Sequence, residues 1–174
     1  MDASLDHYLL RQLLKDLVTS SGGHLVALLD DAKASGANQS KLTFGVIDVV
    51  VDRAHESVEL IDRLETDSKA QLSLQAFRTW VSNVAAVTPR LRQRIRSDFG
   101  DGSFNEVLWA LGCLPGSDWP PGERLPAAVL LYADGDWHRL LAAVKEANMD
   151  WRDALMLGGL GHTDWPDRLK TEFG

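Results

Sequence analysis

The chain of 174 residues contains one cysteine, Cys113, and no long apolar run. A single cysteine excludes an intramolecular disulfide and a zinc site built from several thiolates. Apolar stretches such as 25–29 and 129–132 are far shorter than the roughly 20 residues of a membrane helix. The N-terminal segment MDASLDHYLLRQLLKD carries charges where a signal peptide has its apolar core. These absences predict a cytoplasmic protein that does not enter the membrane.

The sequence also lacks the short motifs of the common enzyme classes. It has no P-loop, no G-x-G-x-x-G dinucleotide loop and no G-x-S-x-G nucleophile elbow. His55 and Glu56 are not followed by the second histidine of the zinc-protease motif HExxH. The glycines at 158, 159 and 161 follow no predicted strand, so they predict a helix end and a turn. These absences favour a role without catalysis.

Basic residues are scarce in the second half of the chain, and the formal net charge is −7. Residues 1–98 hold 12 basic and 13 acidic side chains, whereas residues 99–174 hold 6 basic and 12 acidic ones. An acidic surface repels nucleic acid and anionic lipid headgroups. The asymmetry therefore favours a basic protein as the partner of the C-terminal half.

Apolar residues recur at helical spacing through the first hundred residues. The spacing predicts helices over 5–20, 24–34, 41–66 and 70–87, and Pro89 is placed to begin another. Within 41–66 the stretch TFGVIDVVV is rich in β-branched residues, so a strand over 42–52 is the alternative. An apolar stripe through the whole segment favours one long helix: Ile47, Val51, Ala54, Val58 and Ile61. We expect an all-α protein in which 1–98 form a helical bundle.

One pattern recurs beyond Phe99. DGSFNEVLWAL, from Asp101, aligns without a gap with DGDWHRLLAAV, from Asp134, and MDWRDALML shares their aromatic residue and later leucine. Each copy predicts a capped helix that begins at its aromatic residue: Phe104, Trp137 or Trp151. Ser103 and Glu106 are spaced as a capping box. We expect 99–174 to form an array of short capped helices packed on the bundle, as a second domain or as part of one continuous domain.

The last copy continues as DWRDALMLGGLGHTDWPDRL, residues 150–169. This stretch resembles the C-terminal ends of small bacterial proteins of unassigned role that carry a DWRDxLxxAGL-like motif. The resemblance covers 20 of the 174 residues and brings no activity with it. It implies a bacterial cytosolic protein.

Three groups of residues are candidates for a binding site. On the predicted helix over 41–66, Asp52, His55 and Glu59 share one face at spacings that can ligate a divalent metal ion. A solvated acidic face is the alternative for this group.

The other two groups lie further along the chain. PRLRQRIR holds the densest positive cluster, in which Arg90 and Arg94 could bind phosphate or nucleic acid, and pairing with the acidic half is the alternative. In the proline-rich GSDWPPGE, Trp119 with Asp118 and Glu123 could anchor a protein partner, and packing of the ring is the alternative.

The favoured prediction is a protein-interaction role of the inhibitor, immunity or adaptor type, in which the acidic C-terminal half binds a basic protein. A metal-dependent bundle enzyme using the Asp52 group is the first alternative, and nucleic-acid or phosphate binding through 90–96 is the second. No cofactor is predicted except the divalent metal of the first alternative. The sequence leaves open whether the chain forms a homo-oligomer.

Overall fold

The computed structural model describes Leu13 and residues 38–65, 68–115 and 122–174. The chain divides into two compact units, Met1–Val81 and Ser82–Gly174. The helices predicted over 5–20 and 24–34 lie outside the described residues apart from Leu13, whose side chain is fully buried. From residue 38 onward, the first element is a β-strand.

Four strands form an antiparallel sheet in the N-terminal unit. They are β1 (Gln39–Phe44), β2 (Ile47–Asp52), β3 (Ser57–Asp62) and β4 (Lys69–Ser73). They lie in the order β1-β2-β3-β4, so each strand pairs with the next one along the chain. Short connections are enough for this topology, because antiparallel neighbours need no crossover.

Side chains alternate between a buried and a more polar face of the sheet. On the buried face Val51 of β2 lies opposite Val58 of β3, and Val49 lies opposite Leu60; these side chains are at most 1 % exposed. Glu59 lies on the other face. A period of two with β-branched residues on the buried side is typical of a strand that covers a core.

The prediction of one long helix over 41–66 is wrong, and so are the predictions of an all-α protein and of a helical bundle over 1–98. Ile47 and Val51, four residues apart, share one face of a helix but also one face of a strand. The β-branched residues between them favour the strand, because their side chains pack well on a pleated surface. The alternative of strand structure over 42–52 is correct in type, but a turn at residues 45–46 divides this segment between β1 and β2.

Two of the turns between these strands, β1–β2 and β2–β3, were not predicted from the sequence. The first holds Gly45, whose φ is 51°. The second contains no glycine or proline; it ends at Glu56, which adopts a left-handed φ of 48°. In that turn the carboxylate of Asp52 accepts a hydrogen bond from the backbone N–H of His55. An aspartate that bonds the backbone in this way promotes a turn without glycine.

Seven helices follow the sheet in the described residues. They are α1 (Leu74–Ala85), α2 (Pro89–Phe99), α3 (Phe104–Gly112), α4 (Arg124–Ala133), α5 (Trp137–Met149), α6 (Trp151–Leu157) and α7 (Trp165–Phe173), with a 3₁₀ turn over Asp101–Ser103. The helix predicted to begin at Pro89 is confirmed as α2. The helix predicted over 70–87 is shorter, because residues 70–73 belong to β4.

The three helix starts predicted at aromatic residues are confirmed in α3, α5 and α6. Asp136 and Asp150 cap α5 and α6 by accepting hydrogen bonds from backbone N–H groups in the first turn. The capping box predicted at Ser103 is not formed: Ser103 ends the 3₁₀ turn, and its side chain makes no capping hydrogen bond.

A buried amide closes the end of α3 within the C-terminal unit. Asn83 is 4 % exposed, and its Nδ2 donates to the backbone carbonyls of Gly112 at 3.1 Å and Leu114 at 2.7 Å. The last carbonyls of a helix have no partner inside the helix. Asn83 therefore satisfies the carbonyl of Gly112, the last residue of α3, and also that of Leu114, which follows the helix.

Candidate functional site

Two of the residues predicted as metal ligands meet at the hairpin between β2 and β3. The Asp52 carboxylate accepts hydrogen bonds from the Gln39 amide at 2.9 Å and from the backbone N–H of His55 at 3.1 Å, and its Oδ2 lies 3.1 Å from the imidazole Nδ1 of His55. These hydrogen bonds, the one from Gln39 first, lower the pKa of Asp52 to about 2. The Asp52–His55 contact therefore stabilises the turn.

Glu59 lies apart from this turn, in β3. It is opposite Val50 and Gln71 of the neighbouring strands, and its carboxylate is 3.8 Å from the Lys69 ammonium. The helical face that defined the predicted metal site does not exist, because 47–52 and 57–62 are strands. In the ranges that the structure describes, no group of three or more His, Cys, Asp or Glu side chains is placed to hold a metal ion. The described residues thus give the metal hypothesis no support.

Glu123 and Arg90, predicted in two different sites, are partners of each other. Glu123 immediately precedes α4 and accepts hydrogen bonds from both Nε (3.0 Å) and Nη2 of Arg90, as well as from the Thr88 hydroxyl at 2.7 Å. The hydrogen bonding from Arg90 lowers the pKa of Glu123, against the opposite effect of burial. The pair ties α2 to α4. Asp118 and Trp119, the other residues of that predicted site, lie outside the described residues.

Arg94, the second residue of the predicted anion site, also has partners inside the C-terminal unit. Its Nε donates to Asp98 at 2.5 Å, its Nη1 donates to the backbone carbonyl of Glu172 at 3.3 Å, and its guanidinium carbon lies 5.6 Å from the centroid of the Phe173 ring. Its Nη2 is 4.0 Å from Asp134. Arg90 and Arg94 thus both contact residues outside α2 within this unit.

The single thiol offers little nucleophilic chemistry. Cys113 follows α3 at an exposed position, but the protein atoms around its sulfur desolvate the thiolate and raise the pKa to about 11. The thiolate is the reactive form, so the group is almost wholly protonated at neutral pH.

A cleft of about 380 Å³ lies within the C-terminal unit. Residues from the end of α2, the 3₁₀ turn, α3 and the start of α5 line it: Asp98, Phe99, Ser103, Glu106, Gly135 and Trp137. Ser103 and Glu106 belong to the repeat copy that starts at Asp101, and Gly135 and Trp137 belong to the copy that starts at Asp134. The cleft therefore forms where the two gapless copies of the repeat meet.

Gly135 allows the turn before α5 to lie against the backbone of Asp98 in α2. Its φ is +77°, and a Cβ at this position would lie 2.8 Å from the backbone oxygen of Asp98. Asp134, just before it, also has a left-handed φ of 48°. Asp136, just after it, caps α5. The turn Asp-Gly-Asp thereby sets Trp137, the first residue of α5, into the wall of the cleft.

Carboxylates are concentrated around the cleft. Five of them line it or lie within two residues of a lining residue: Asp98, Asp101, Glu106, Asp134 and Asp136. Three arginines oppose them: Arg94 contacts Asp98, Arg96 lies 3.4 Å from Asp101, and Arg139 is two residues from Trp137. Negative charge remains in excess, and the half-buried rings of Phe99 and Trp137 stand beside it. Aromatic rings next to carboxylates suit a cation.

This cleft was not among the sites predicted from the sequence. The copies at 101–111 and 134–144 predicted only helix starts. The available signal was the Asp-Gly pair that opens both copies, because an invariant glycine within a repeat indicates a turn or a close approach of backbone. That the two copies face each other across a cleft depends on tertiary packing.

A scan against protein-family models finds no match for this chain, and searches of curated proteins and of solved structures also find none. None of the helices in the described ranges combines the length and the apolar character needed to span a bilayer.

Proposed function

We propose that this chain is a protein-interaction protein that binds a basic partner through the acidic cleft of its C-terminal unit and catalyses no reaction. The observation that carries the proposal is that five carboxylates, opposed by three arginines, line one cleft or lie within two residues of its lining. A surface of one sign speeds the approach of an oppositely charged protein and selects against acidic partners.

The inhibitor, immunity and adaptor types of protein fit this role, because each acts by occupying the surface of another protein. A cytoplasmic location is part of the proposal and agrees with the single cysteine, since disulfides are rare in that compartment.

The two alternatives have less support. Nucleic-acid or phosphate binding requires arginines that are available to a ligand, whereas Arg90 donates to Glu123 and Arg94 donates to Asp98. A metal-dependent enzyme at Asp52 and His55 lacks a third ligand in the part of the chain that the structure describes. We therefore retain the interaction role alone.

A charge-neutralised variant tests the proposal. Asp101→Asn, Asp134→Asn and Asp136→Asn together remove three charges near the cleft with little change in shape. Asn tolerates the left-handed φ of residue 134 and caps a helix as well as Asp does. We expect the immobilised full chain to retain a stoichiometric basic protein from bacterial lysate at low salt. We expect that protein to be released by about 0.5 M NaCl and to be lost from the variant.

The matched control neutralises three aspartates that neither line the cleft nor lie within two residues of a lining residue: Asp150→Asn, Asp153→Asn and Asp167→Asn. This control has the same net charge as the test variant and also keeps a cap, at residue 150. It should retain the partner once that protein is purified and its affinity is measured directly. The absence of any partner at low salt, or equal loss of affinity in the two variants, would contradict the proposal.

A further inference from the structure

Four helices of the C-terminal unit begin at an aromatic residue, and three of those rings are covered by an arginine of the same unit. The guanidinium carbon lies within 5.0 Å of the ring centroid in each case: Arg96 over Phe104 at 4.2 Å, Arg152 over Trp151 at 4.8 Å and Arg124 over Trp165 at 5.0 Å. Trp137 is the fourth. No arginine of the described residues lies over its ring, which is half-buried and lines the cleft.

The sequence next to Trp137 differs from the sequence next to Trp151. In α6 the arginine that covers Trp151 is the next residue, Arg152, whereas in α5 His138 takes that place and the arginine comes one position later. One residue turns a helix by about 100°. Arg139 accordingly lies over Tyr132 of α4, at 4.9 Å, and not over Trp137.

We propose that the cleft binds a guanidinium group, and that an arginine of the basic partner supplies this group and stacks on the ring of Trp137. This inference rests on the proposed function and names the group that the partner inserts. At about 380 Å³ the cleft is near the lower limit for ligand pockets, so its size suits one side chain better than a large cofactor.

The lining supplies both kinds of contact that a guanidinium makes. The face of Trp137 provides a stacking surface, as the other three rings do for arginines of this chain. The carboxylates of Asp98 and Glu106 line the same cleft. A carboxylate accepts several hydrogen bonds, so Asp98 can bind the edge of the group in addition to Arg94. Arginine is favoured over lysine because its planar group stacks and donates hydrogen bonds at the same time.

Titration of the full chain with N-acetyl-arginine methylamide tests this proposal. The indole N–H signal of Trp137, assigned in the NMR spectrum through Trp137→Phe, should shift in a saturable way with a Kd in the millimolar range, roughly 1–10 mM. N-acetyl-citrulline methylamide has almost the same shape without the charge, and N-acetyl-lysine methylamide has the charge without the planar group. Both should bind at least about tenfold more weakly. NaCl keeps the ionic strength constant throughout.

Two variants probe the site from opposite directions. Glu106→Gln keeps the shape of the side chain but removes a lining charge, and it should weaken binding about fivefold. His138→Arg sets an arginine beside Trp137 in the position that Arg152 has beside Trp151, so it should fill the site and abolish the titration. Ala142→Arg, which adds the same charge one turn further along α5, is its control and should leave binding unchanged. Circular dichroism confirms that each variant is folded.

The outcomes separate this inference from the proposed function. If the Trp137 signal does not move up to about 50 mM arginine amide, the guanidinium site is refuted, even if partner capture still depends on the aspartates near the cleft. If citrulline or lysine amide binds as tightly as arginine amide, the guanidinium assignment is refuted. If arginine amide binds as expected but no basic protein is captured, the site stands and the proposed function fails.

Discussion

Gly158 ends α6 where that helix lies close to the main chain of α4. A Cβ at this position would lie 2.3 Å from the backbone oxygen of Ala128, 2.5 Å from its Cα and 2.6 Å from its carbonyl carbon. Ordinary contacts begin at 3.4 Å, so Gly158→Ala requires α4 and α6 to separate by about 1 Å. All three atoms belong to the main chain, and therefore no side-chain rotation relieves the overlap.

The magnitude of the effect follows from these distances. Overpacking of a core costs about 1–3 kcal/mol, and a clash with backbone belongs at the upper end. The same substitution stabilises the folded state by about 0.4–1 kcal/mol, because alanine lowers the conformational entropy of the unfolded chain. The φ of Gly158 is −77°, which alanine adopts without strain. We expect a net loss of about 2 kcal/mol in the free energy of unfolding, or about 1 M in the urea midpoint.

Urea unfolding followed by tryptophan fluorescence measures this loss. Five of the six tryptophans belong to the unit Ser82–Gly174, so the signal reports mainly on the unit that contains Gly158. Gly102→Ala is the matched control, because a Cβ at residue 102 meets nothing within 4 Å. We expect the control to change stability by less than about 0.5 kcal/mol. Equal midpoints for the two variants would refute the argument from close helix approach.

Three further substitutions test other contacts. Glu123→Gln should cost about 2 kcal/mol at pH 7. Because Arg90 holds the folded pKa of Glu123 below its ordinary value of 4.5, that difference should shrink as the pH falls below 4.5 and vanish below the folded pKa. Unfolding curves over a pH series from 7 downward check this, and a pH-independent difference would contradict it. Asn83→Asp replaces the Nδ2 donor at the end of α3 with an acceptor and should cost at least about 2 kcal/mol in the same assay, with Asn83→Gln as a milder comparison. Asp150→Ala should lower the stability by about 1 kcal/mol through loss of the cap on α6, whereas Asp150→Asn should be nearly neutral.

The helix starts of the C-terminal unit could be predicted from the sequence because their signals are local. Pro89 fits the first turn of α2 through its fixed φ, and Asp136 and Asp150 each precede an aromatic residue that begins a helix. Each signal acts within one turn of chain, so tertiary structure does not reverse it. Ser103 was the exception, because the 3₁₀ turn over Asp101–Ser103 displaces its side chain from the capping position.

The four-residue spacing of apolar residues could not predict the sheet, because this spacing fits a helix and a strand equally well. Residues four apart are on the same side of a helix and on the same side of a strand, so the stripe through Ile47 and Val51 agreed with both. The decisive difference lay at Val49, which is fully buried in β2 but would lie far from that stripe on a helix. A test of alternate positions over 47–51 would have favoured the strand. The turn at 53–56 was missed because it contains no glycine or proline.

The candidate sites were incompletely predicted for a different reason. The sequence around a charged residue does not identify its ion-pair partner. Arg90 and Glu123, which are 33 residues apart, were therefore predicted in separate binding sites although they bind each other. The same limit applies to the cleft, whose lining residues lie between positions 98 and 137. Spacing along the chain predicts neighbours on one element, but not the pairing of one element with another.

The repeat is informative where its copies differ. Similarity among the copies reflects a shared requirement, namely a capped helix whose first ring packs near the helix end. The residue after that ring has no such requirement, and it is Asn105 in the first copy, His138 in the second and Arg152 in the third. Arg152 covers its own tryptophan, and Arg96 of α2 covers Phe104. His138 takes this place in the second copy, and among the described residues no arginine lies over the ring of Trp137, which lines the acidic cleft. The departure from the repeat at residue 138 therefore lies next to the site at which we propose that a guanidinium of the partner binds.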